Sequence, residues 1–161
     1  MQENPHPRGL GRILVTLGGL GAIGLADGLF KYLALRQLPA EGESTLSPII
    51  ALAVHKNPGI LFDLPLPLFV IAPLTLLALG ALAYIFLQAW QSGNFPAACG
   101  AWAAALGALN NLLDRLINNF TTDYLIFFRT SAINLSDVLI LLGVACLLWY
   151  GKTNSPAQQK N

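Results

Sequence analysis

Four long apolar stretches dominate the sequence and restrict the folds that it can adopt. They cover roughly residues 13–35, 66–90, 97–117 and 135–150. A helix that crosses a bilayer needs about 20 mostly apolar residues. We therefore predict an all-α membrane protein, built as a four-transmembrane-helix bundle.

The composition supports a membrane protein and excludes several other classes. Hydrophobic residues make up 55% of the 161-residue chain and charged residues only 11%, whereas soluble domains carry about 25% charged residues. A net charge of +1 without a basic patch argues against binding to nucleic acid. The two cysteines and two histidines are scattered, so we expect no disulfide framework, no metal site and no cofactor.

The length predicts one integral membrane domain, residues 1–151, followed by a polar cytoplasmic tail, residues 152–161. Arg8 and Arg12 precede the first apolar stretch, as in a secretory signal. That stretch is longer than a typical signal core, and no convincing small-residue cleavage site follows it. We therefore interpret it as a retained helix.

The connections between the stretches are unequal. Stretches two and three are joined by the short "QSGNF", whereas residues 36–65 and 118–134 form longer loops on the opposite side. The first of these loops contains "IIALAV", which is typical of a strand, and "KNPG", which is a turn signal. We therefore expect a small β-structure on the outer face of the membrane.

Four spans place both termini on one side of the membrane. Positive charge favours the cytoplasmic side, but the two sides of this chain carry almost equal numbers of basic residues. The terminal side has Arg8, Arg12, Lys152 and Lys160, and the opposite side has Arg36, Lys56, Arg115 and Arg129. The charge count alone therefore leaves the orientation open.

Two groups of polar residues lie towards the outer ends of the first and third stretches. Asp27 and Lys31 are four residues apart on one helical face, which predicts an ion pair, although Asp27 could instead reach an active cleft. Asn111 and Asp114 also share a face. An acid near a helix C-terminus is disfavoured by the helix dipole, so we expect Lys31 or Arg115 to offset the charge of Asp114. A polar helix end that simply meets water is the alternative.

Asp123 and Asp137 each precede an apolar run, in "TTDYLIFF" and "NLSDVLILL". Each has an ordinary interpretation: Asp123 as a surface loop acid, and Asp137 as part of a helix start capped by Asn134. However, both acids belong to one connection on one membrane face. If they meet in a partly apolar cleft, desolvation and repulsion raise one pKa and the pair shares a proton. Such a pair can activate a water molecule, as in aspartic proteases.

These motifs resemble the lipoprotein signal peptidase (signal peptidase II) family. The resemblance is carried, in the order of the family, by "ADGLFKYLAL", "VHKNPGILF", "GALNNLLDR" with Asp123 nine residues after Asp114, and "INLSD". The second motif matches an Asn-x-Gly-x-x-Phe pattern at Asn57, Gly59 and Phe62. Each motif is weak alone, but four in order across four apolar stretches are fairly specific.

The resemblance implies a function and a set of residue roles. Asp123 and Asp137 become the catalytic pair of a membrane aspartic endopeptidase that removes signal peptides from prolipoproteins with a diacylglyceryl-modified cysteine. Supporting or substrate-binding roles are implied for Asn111, Asp114, Arg115, Asn134, Asn57, Asp27 and Lys31. The family also implies a β-rich cradle on the outer face, a bacterial inner-membrane location, cytoplasmic termini and contact with membrane lipids.

The sequence departs from the family pattern at several positions near these motifs. Asn110 replaces a usual Gly, Ser136 replaces a common Ala, and Gly28 replaces a Gln. Thr121 and Thr122 replace an apolar pair, and Pro58 stiffens the outer-loop motif. One alternative is therefore a non-catalytic relative that binds lipidated peptides. A proton- or ion-conducting protein is less favoured, because the acids gather near one face instead of the midplane.

Overall fold

A computed structural model of the protein describes residues 7–40, 49–60, 64–128 and 130–150, with side chains from residue 10 onward. The described chain contains four helices and three strands. The helices are α1 (Pro7–Gln37), α2 (Leu68–Gln91), α3 (Phe95–Asn118) and α4 (Leu135–Tyr150), and the strands are β1 (Ile50–Asn57), β2 (Thr121–Phe127) and β3 (Ser131–Ile133). The helices fall close to the four predicted stretches. The side chain of Arg8, residues Phe62, Arg129, Lys152 and Lys160, and the predicted tail lie outside the described residues.

Two of the described helices are long and apolar enough to cross a membrane, over Leu10–Gln37 and Leu68–Gln91. Helix α4 is also apolar but has only 16 residues, and the C-terminal half of α3 carries polar residues such as Asn111 and Asp114. The prediction of four helices is confirmed. Length and hydropathy identify two of them as membrane-capable.

Large apolar side chains lie on the outside of the bundle. Leu25 is 80% exposed, Phe69 79% and Trp149 76%. The largest fully buried side chains are instead polar; they are Asn134, Thr121, Thr122, Asp27, Asp123 and Ser136. This distribution is the reverse of that in a soluble domain, and it suits a protein whose exterior contacts lipid.

Helices α3 and α4 pack closely because small residues line their contact. A Cβ atom built on Gly107 would come within 2.3 Å of the Ser136 carbonyl oxygen, and one on Gly143 within 2.6 Å of the Ala104 backbone nitrogen. Such small residues let helix backbones approach each other in membrane bundles. The first turn of α4 therefore rests directly on α3.

The three strands form an antiparallel sheet in the order β1-β2-β3. Strand β1 confirms the strand predicted from "IIALAV", and its His55 lies directly opposite Asp123 of β2. The second outer loop differs from the prediction, because much of it is strand rather than loop. The run after Asp123 pairs with β1, and Ile126 packs on Ala51 and Ala53.

Candidate active site

Asp123 lies in the middle strand of the sheet and is almost completely buried, with 1% of its surface exposed. Two amides donate to its carboxyl group: Asn134 Nδ2 lies 2.6 Å from Oδ1, and Asn57 Nδ2 lies 3.2 Å from Oδ2. Its backbone pairs with β1, where His55 is the residue opposite. The interpretation of Asp123 as a surface loop acid is therefore wrong.

Asp137 occupies the first turn of α4 and forms the predicted capping box with Asn134. The Asp137 backbone N–H donates to Asn134 Oδ1 at 2.9 Å, and the Asn134 backbone N–H donates to Asp137 Oδ2 at 3.0 Å. The second oxygen, Oδ1, accepts a hydrogen bond from Asn111 Nδ2 at 2.8 Å. In contrast to Asp123, Asp137 is only partly buried, so part of this residue is accessible from outside the bundle.

Asn134 links the two acids. Its side-chain amide donates to Asp123, while its side-chain oxygen and backbone N–H complete the capping box with Asp137. The structure thus gathers both acids around one buried asparagine. The helix cap and the link to Asp123 use different atoms of the same residue, Asn134. The ordinary interpretation of Asp137 and the functional one therefore do not exclude each other.

Burial and the neighbouring groups act in opposite directions on the pKa of Asp123. Burial, followed by the charge of Asp137, raises the pKa of Asp123 to about 7. Hydrogen bonds from Asn57 and Asn134 and the charge of His55 act in the opposite direction. The burial effect prevails because it disfavours the charged form more than the two amide donors favour it.

The loop after β1 is held against this site by Asn57 and Arg115. Asn57 Oδ1 accepts a hydrogen bond from the Gly59 backbone N–H at 2.9 Å, which confirms the predicted turn. Arg115 donates through Nη2 to the Gly59 carbonyl at 2.7 Å and through Nη1 to the Asn111 carbonyl at 3.2 Å. Among the described residues, the buried Arg115 Nε has no hydrogen-bond partner.

The carboxyl group of Asp114, near the end of α3, has polar partners on β2, α3 and α1. Its carboxyl group accepts hydrogen bonds from the Thr122 backbone N–H at 2.6 Å and from Asn118 Nδ2 at 2.7 Å. Lys31 Nζ lies 3.6 Å from Asp114 Oδ2. Of the two cations predicted to offset this acid, Lys31 therefore forms the ion pair. Thr122, one of the departures from the family pattern, anchors β2 to α3.

Asp27 and Lys31 form the predicted ion pair, with Nζ and Oδ2 separated by 3.1 Å. The pair is buried in the bundle. Lys31 Nζ also donates to Asn111 Oδ1 at 2.6 Å. Because an ammonium group cannot accept a hydrogen bond, this contact directs the NH₂ group of Asn111 towards Asp137.

Asn110, another departure, connects α3 to α1 instead of contacting the acids. Its Nδ2 donates to the Gly24 carbonyl at 2.7 Å. A Cβ atom on Gly24 would lie 3.4 Å from that nitrogen. The larger residue on α3 is thus accommodated by a glycine on α1, and the two helices remain joined at this level.

Two residues near the acids were not singled out as site residues from the sequence. His55 was considered only as a metal ligand, but it faces Asp123 across the sheet. Tyr124 is buried, and its hydroxyl donates to Asp27 Oδ1 at 2.9 Å. Burial and the adjacent Asp27 raise the pKa of Tyr124, so its hydroxyl keeps its proton. Tyr124 directly follows Asp123 in the sequence. Because side chains alternate between the two faces of a strand, a strand prediction here would have placed Tyr124 on the face opposite Asp123.

An apolar cavity of about 370 Å³ lies between α1 and the sheet. Its walls include Phe30 and Leu33 of α1, Leu52 of β1, and Tyr124 and Leu125 of β2. The cavity is therefore next to the strand that carries Asp123 and has the lining of a site for an apolar group.

The sequence is similar to those of known proteins. A family model described as signal peptidase (SPase) II matches residues 20–152. A lipoprotein signal peptidase of Bartonella henselae is 29% identical over 140 residues, which are 82% of this chain and 84% of that protein. A lipoprotein signal peptidase of Mesorhizobium japonicum is 30% identical over 129 residues, 76% of each chain.

The fold also has a match among solved structures. A structure of a bacterial membrane enzyme, determined by the in meso method, superposes with a TM-score of 0.73 and covers 89% of this chain and 93% of that one. The sequence identity is 18%, so this match concerns the fold alone.

Proposed function

The chain belongs to the signal peptidase II family, and from this premise we propose that it is an aspartic endopeptidase acting on prolipoproteins. The observation that carries the aspartic mechanism is the pair of acids held by Asn134. One of them, Asp123, has a pKa near neutrality. Two carboxyl groups of this kind can divide the roles of acid and base in one reaction.

In the proposed mechanism, Asp123 carries the shared proton and Asp137 acts as the base. The Asp137 carboxylate takes a proton from a water molecule, whose oxygen attacks the scissile carbonyl carbon. Asp123 donates its proton to the carbonyl oxygen, which gives a neutral tetrahedral diol. When the C–N bond breaks, the proton held by Asp137 passes to the leaving nitrogen, and Asp123 regains a proton from the collapsing diol. No covalent bond to the enzyme forms.

The proposed substrate is a prolipoprotein whose cysteine already carries a diacylglyceryl group. The apolar cavity beside Tyr124 supports this proposal, because its lining suits an acyl chain and it adjoins the strand of Asp123. The exposed apolar side chains of α2 and α4 further support lateral entry of a substrate that is itself embedded in lipid.

We further propose that all four helices cross the bacterial inner membrane, with both termini in the cytoplasm. The sheet and the acids then face outward. The supporting observation is that the polar cluster lies at the end of α3 opposite the short turn that joins α2 and α3.

The first prediction concerns the two acids. Asp123→Asn and Asp137→Asn each remove one proton-transfer group, so each variant should cleave at least about 100-fold more slowly than the unchanged protein. Purified protein in lipid nanodiscs would be mixed with a diacylglyceryl-modified prolipoprotein, and the shorter product would be followed on a gel.

Thermal unfolding and co-purification with the substrate show whether each variant is folded and still binds. Near-normal cleavage by either folded variant would refute the aspartic mechanism. If the unchanged protein binds the lipidated substrate but releases no product, the chain is a non-catalytic relative, and the peptidase proposal is wrong.

A further inference from the structure

Two buried hydroxyl groups converge on Asp27 from the two segments that carry the acids. The Tyr124 hydroxyl donates to Asp27 Oδ1 at 2.9 Å, and Ser136 Oγ donates to Oδ2 at 2.5 Å. Tyr124 directly follows Asp123, and Ser136 directly precedes Asp137. Asp27 thus contacts the sequence neighbour of each acid.

A backbone group closes the same cluster. The Leu135 N–H lies 3.1 Å from Asp27 Oδ1 and 3.2 Å from the Tyr124 hydroxyl oxygen, so both oxygens share it. Lys31 balances the charge of Asp27 at 3.1 Å. Asp27 and Ser136 have no exposed surface, so water does not compete for these hydrogen bonds.

The cluster is set apart from the reacting atoms by the direction of the side chains. Successive residues of a strand point to opposite faces, so Tyr124 points away from the face on which Asp123 lies. Successive residues of a helix differ by about 100°, so Ser136 and Asp137 also point in different directions. The hydroxyl groups therefore do not touch the acids. They can act on them through the backbone, or through Asp27 and Lys31, because Lys31 also contacts Asn111, which donates to Asp137.

We propose that Tyr124 and Ser136 are positioning residues, which set the separation of Asp123 and Asp137 by tying β2 and the first turn of α4 to Asp27. The proposal rests on the proposed function of the two acids. It gives a task to Ser136, which departs from the alanine common in the family. The connection is in series: β2 is held through Tyr124, Asp27 lies in the middle, and α4 is held through Ser136.

The test compares Ser136→Ala, Tyr124→Phe and the double variant in the prolipoprotein cleavage assay. Small displacements of reacting groups lower turnover strongly, so each single variant should lower kcat about 3- to 10-fold while KM stays within about 2-fold. Because the connection is in series, the double variant should lose little more than either single variant, which is non-additive behaviour.

Two matched controls each remove a serine or tyrosine hydroxyl group that does not contact Asp27. Ser92→Ala deletes a hydroxyl that donates to the Ala89 carbonyl at 3.1 Å in the turn after α2. Tyr84→Phe deletes the hydroxyl of a tyrosine that is 64% exposed. Both controls should keep the kcat of the unchanged protein.

A second readout does not depend on cleavage. The charge of Asp137 raises the pKa of Asp123. If a variant lets the two acids move apart, this effect weakens and the pKa of Asp123 should fall. Carbon NMR of ¹³C-labelled aspartate would follow this titration in the three variants and the two controls. We expect a downward shift in the three variants and no shift in the controls.

The outcomes separate the two proposals. If the hydroxyl variants leave both kcat and the Asp123 titration at control values, the positioning role is refuted. Strictly multiplicative losses of kcat without a titration shift would also refute it, because they indicate independent loss of packing. If the unchanged protein does not cleave, the proposed function fails, while the titration still decides whether the hydroxyl groups set the spacing.

Discussion

At the scale of single residues, Asn134 and Asn111 give each acid its orientation. The side-chain NH₂ group of Asn134 donates to Asp123, and its side-chain oxygen accepts from the Asp137 backbone N–H. Lys31 orients Asn111 so that its NH₂ group donates to Asp137. Each asparagine presents a donor and an acceptor at the same time, which Asp, Ala or Ser could not do in the same geometry. The two amides therefore have separate tasks around the pair.

The raised pKa of Asp123 leads to a prediction about stability. Its folded-state pKa is about 7 and its ordinary value is 3.8. Between about pH 4 and pH 7 the folded state therefore holds a proton that the unfolded state has lost, so the free energy of unfolding falls as the pH rises through this window. Each pKa unit corresponds to about 1.4 kcal/mol, which gives at most roughly 4 kcal/mol.

Thermal unfolding of the unchanged protein and of Asp123→Asn at pH 5 and pH 8 measures this effect. The variant cannot ionise at this position, so its unfolding temperature relative to the unchanged protein should be higher at pH 8 than at pH 5. An equal difference at both pH values would show that Asp123 does not hold its proton in the folded state.

Several residue-level features could be predicted from the sequence, and others could not. The Asn134–Asp137 cap and the Asp27–Lys31 pair follow from local spacing, which a helix converts directly into contact. The hydroxyl contacts of Tyr124 and Ser136 with Asp27 span about 100 positions of sequence. Local spacing carries no information about such pairs, so only the fold reveals them.

At the scale of elements, the start of α4 is fixed by its contact with α3. Gly107 lies against the Ser136 carbonyl, and Gly143 lies against Ala104 one level further along. The apolar stretches predicted both helices. They did not reveal how closely the two helix backbones approach each other, because glycine and alanine contribute little to a hydropathy pattern.

This contact predicts the effect of adding one methyl group. In Gly107→Ala the new Cβ would lie 2.3 Å from the Ser136 carbonyl oxygen, so the first turn of α4 must shift and carry Asp137 with it. We expect a loss of about 1–3 kcal/mol of stability and at least about 10-fold slower cleavage. Thermal unfolding and the gel assay measure the two effects.

Gly80→Ala is the matched control on α2. No heavy atom lies within 4 Å of a Cβ built at Gly80, and alanine favours a helix by about 1 kcal/mol over glycine. Its stability should stay equal or rise, and its cleavage should not change. If Gly107→Ala behaves like Gly80→Ala, the close contact does not position α4.

The second outer loop shows a limit of sequence patterns at the element scale. The run after Asp123 is apolar throughout and does not alternate with polar residues. Its sequence pattern therefore does not distinguish a buried strand from a segment at the membrane interface. Pairing with β1, about 70 residues earlier, decides the matter. The predicted strand in the first loop was recognisable because its β-branched run ends at a clear turn signal.

At the scale of the whole molecule, the proposed orientation can be tested by labelling. After replacement of Cys99 and Cys146, single cysteines would be introduced by Lys56→Cys on the sheet and Ser92→Cys in the turn between α2 and α3. Both positions are exposed. A membrane-impermeant maleimide should label residue 56 in spheroplasts, and residue 92 only after the membrane is opened. The reverse pattern would show that the acids face the cytoplasm.

The shortness of α4 has a consequence for the environment of the reaction. The helix ends where α3 begins, since Asn94 Nδ2 donates to the Tyr150 carbonyl at 3.1 Å. Its first turn lies beside Asn111, and α3 continues for seven more residues to Asn118, which is about 10 Å of helix. In an upright bundle, the acids would then lie about 10 Å below the C-terminal end of α3, so a water molecule arriving from beyond that end must pass the last two turns of α3 to reach them.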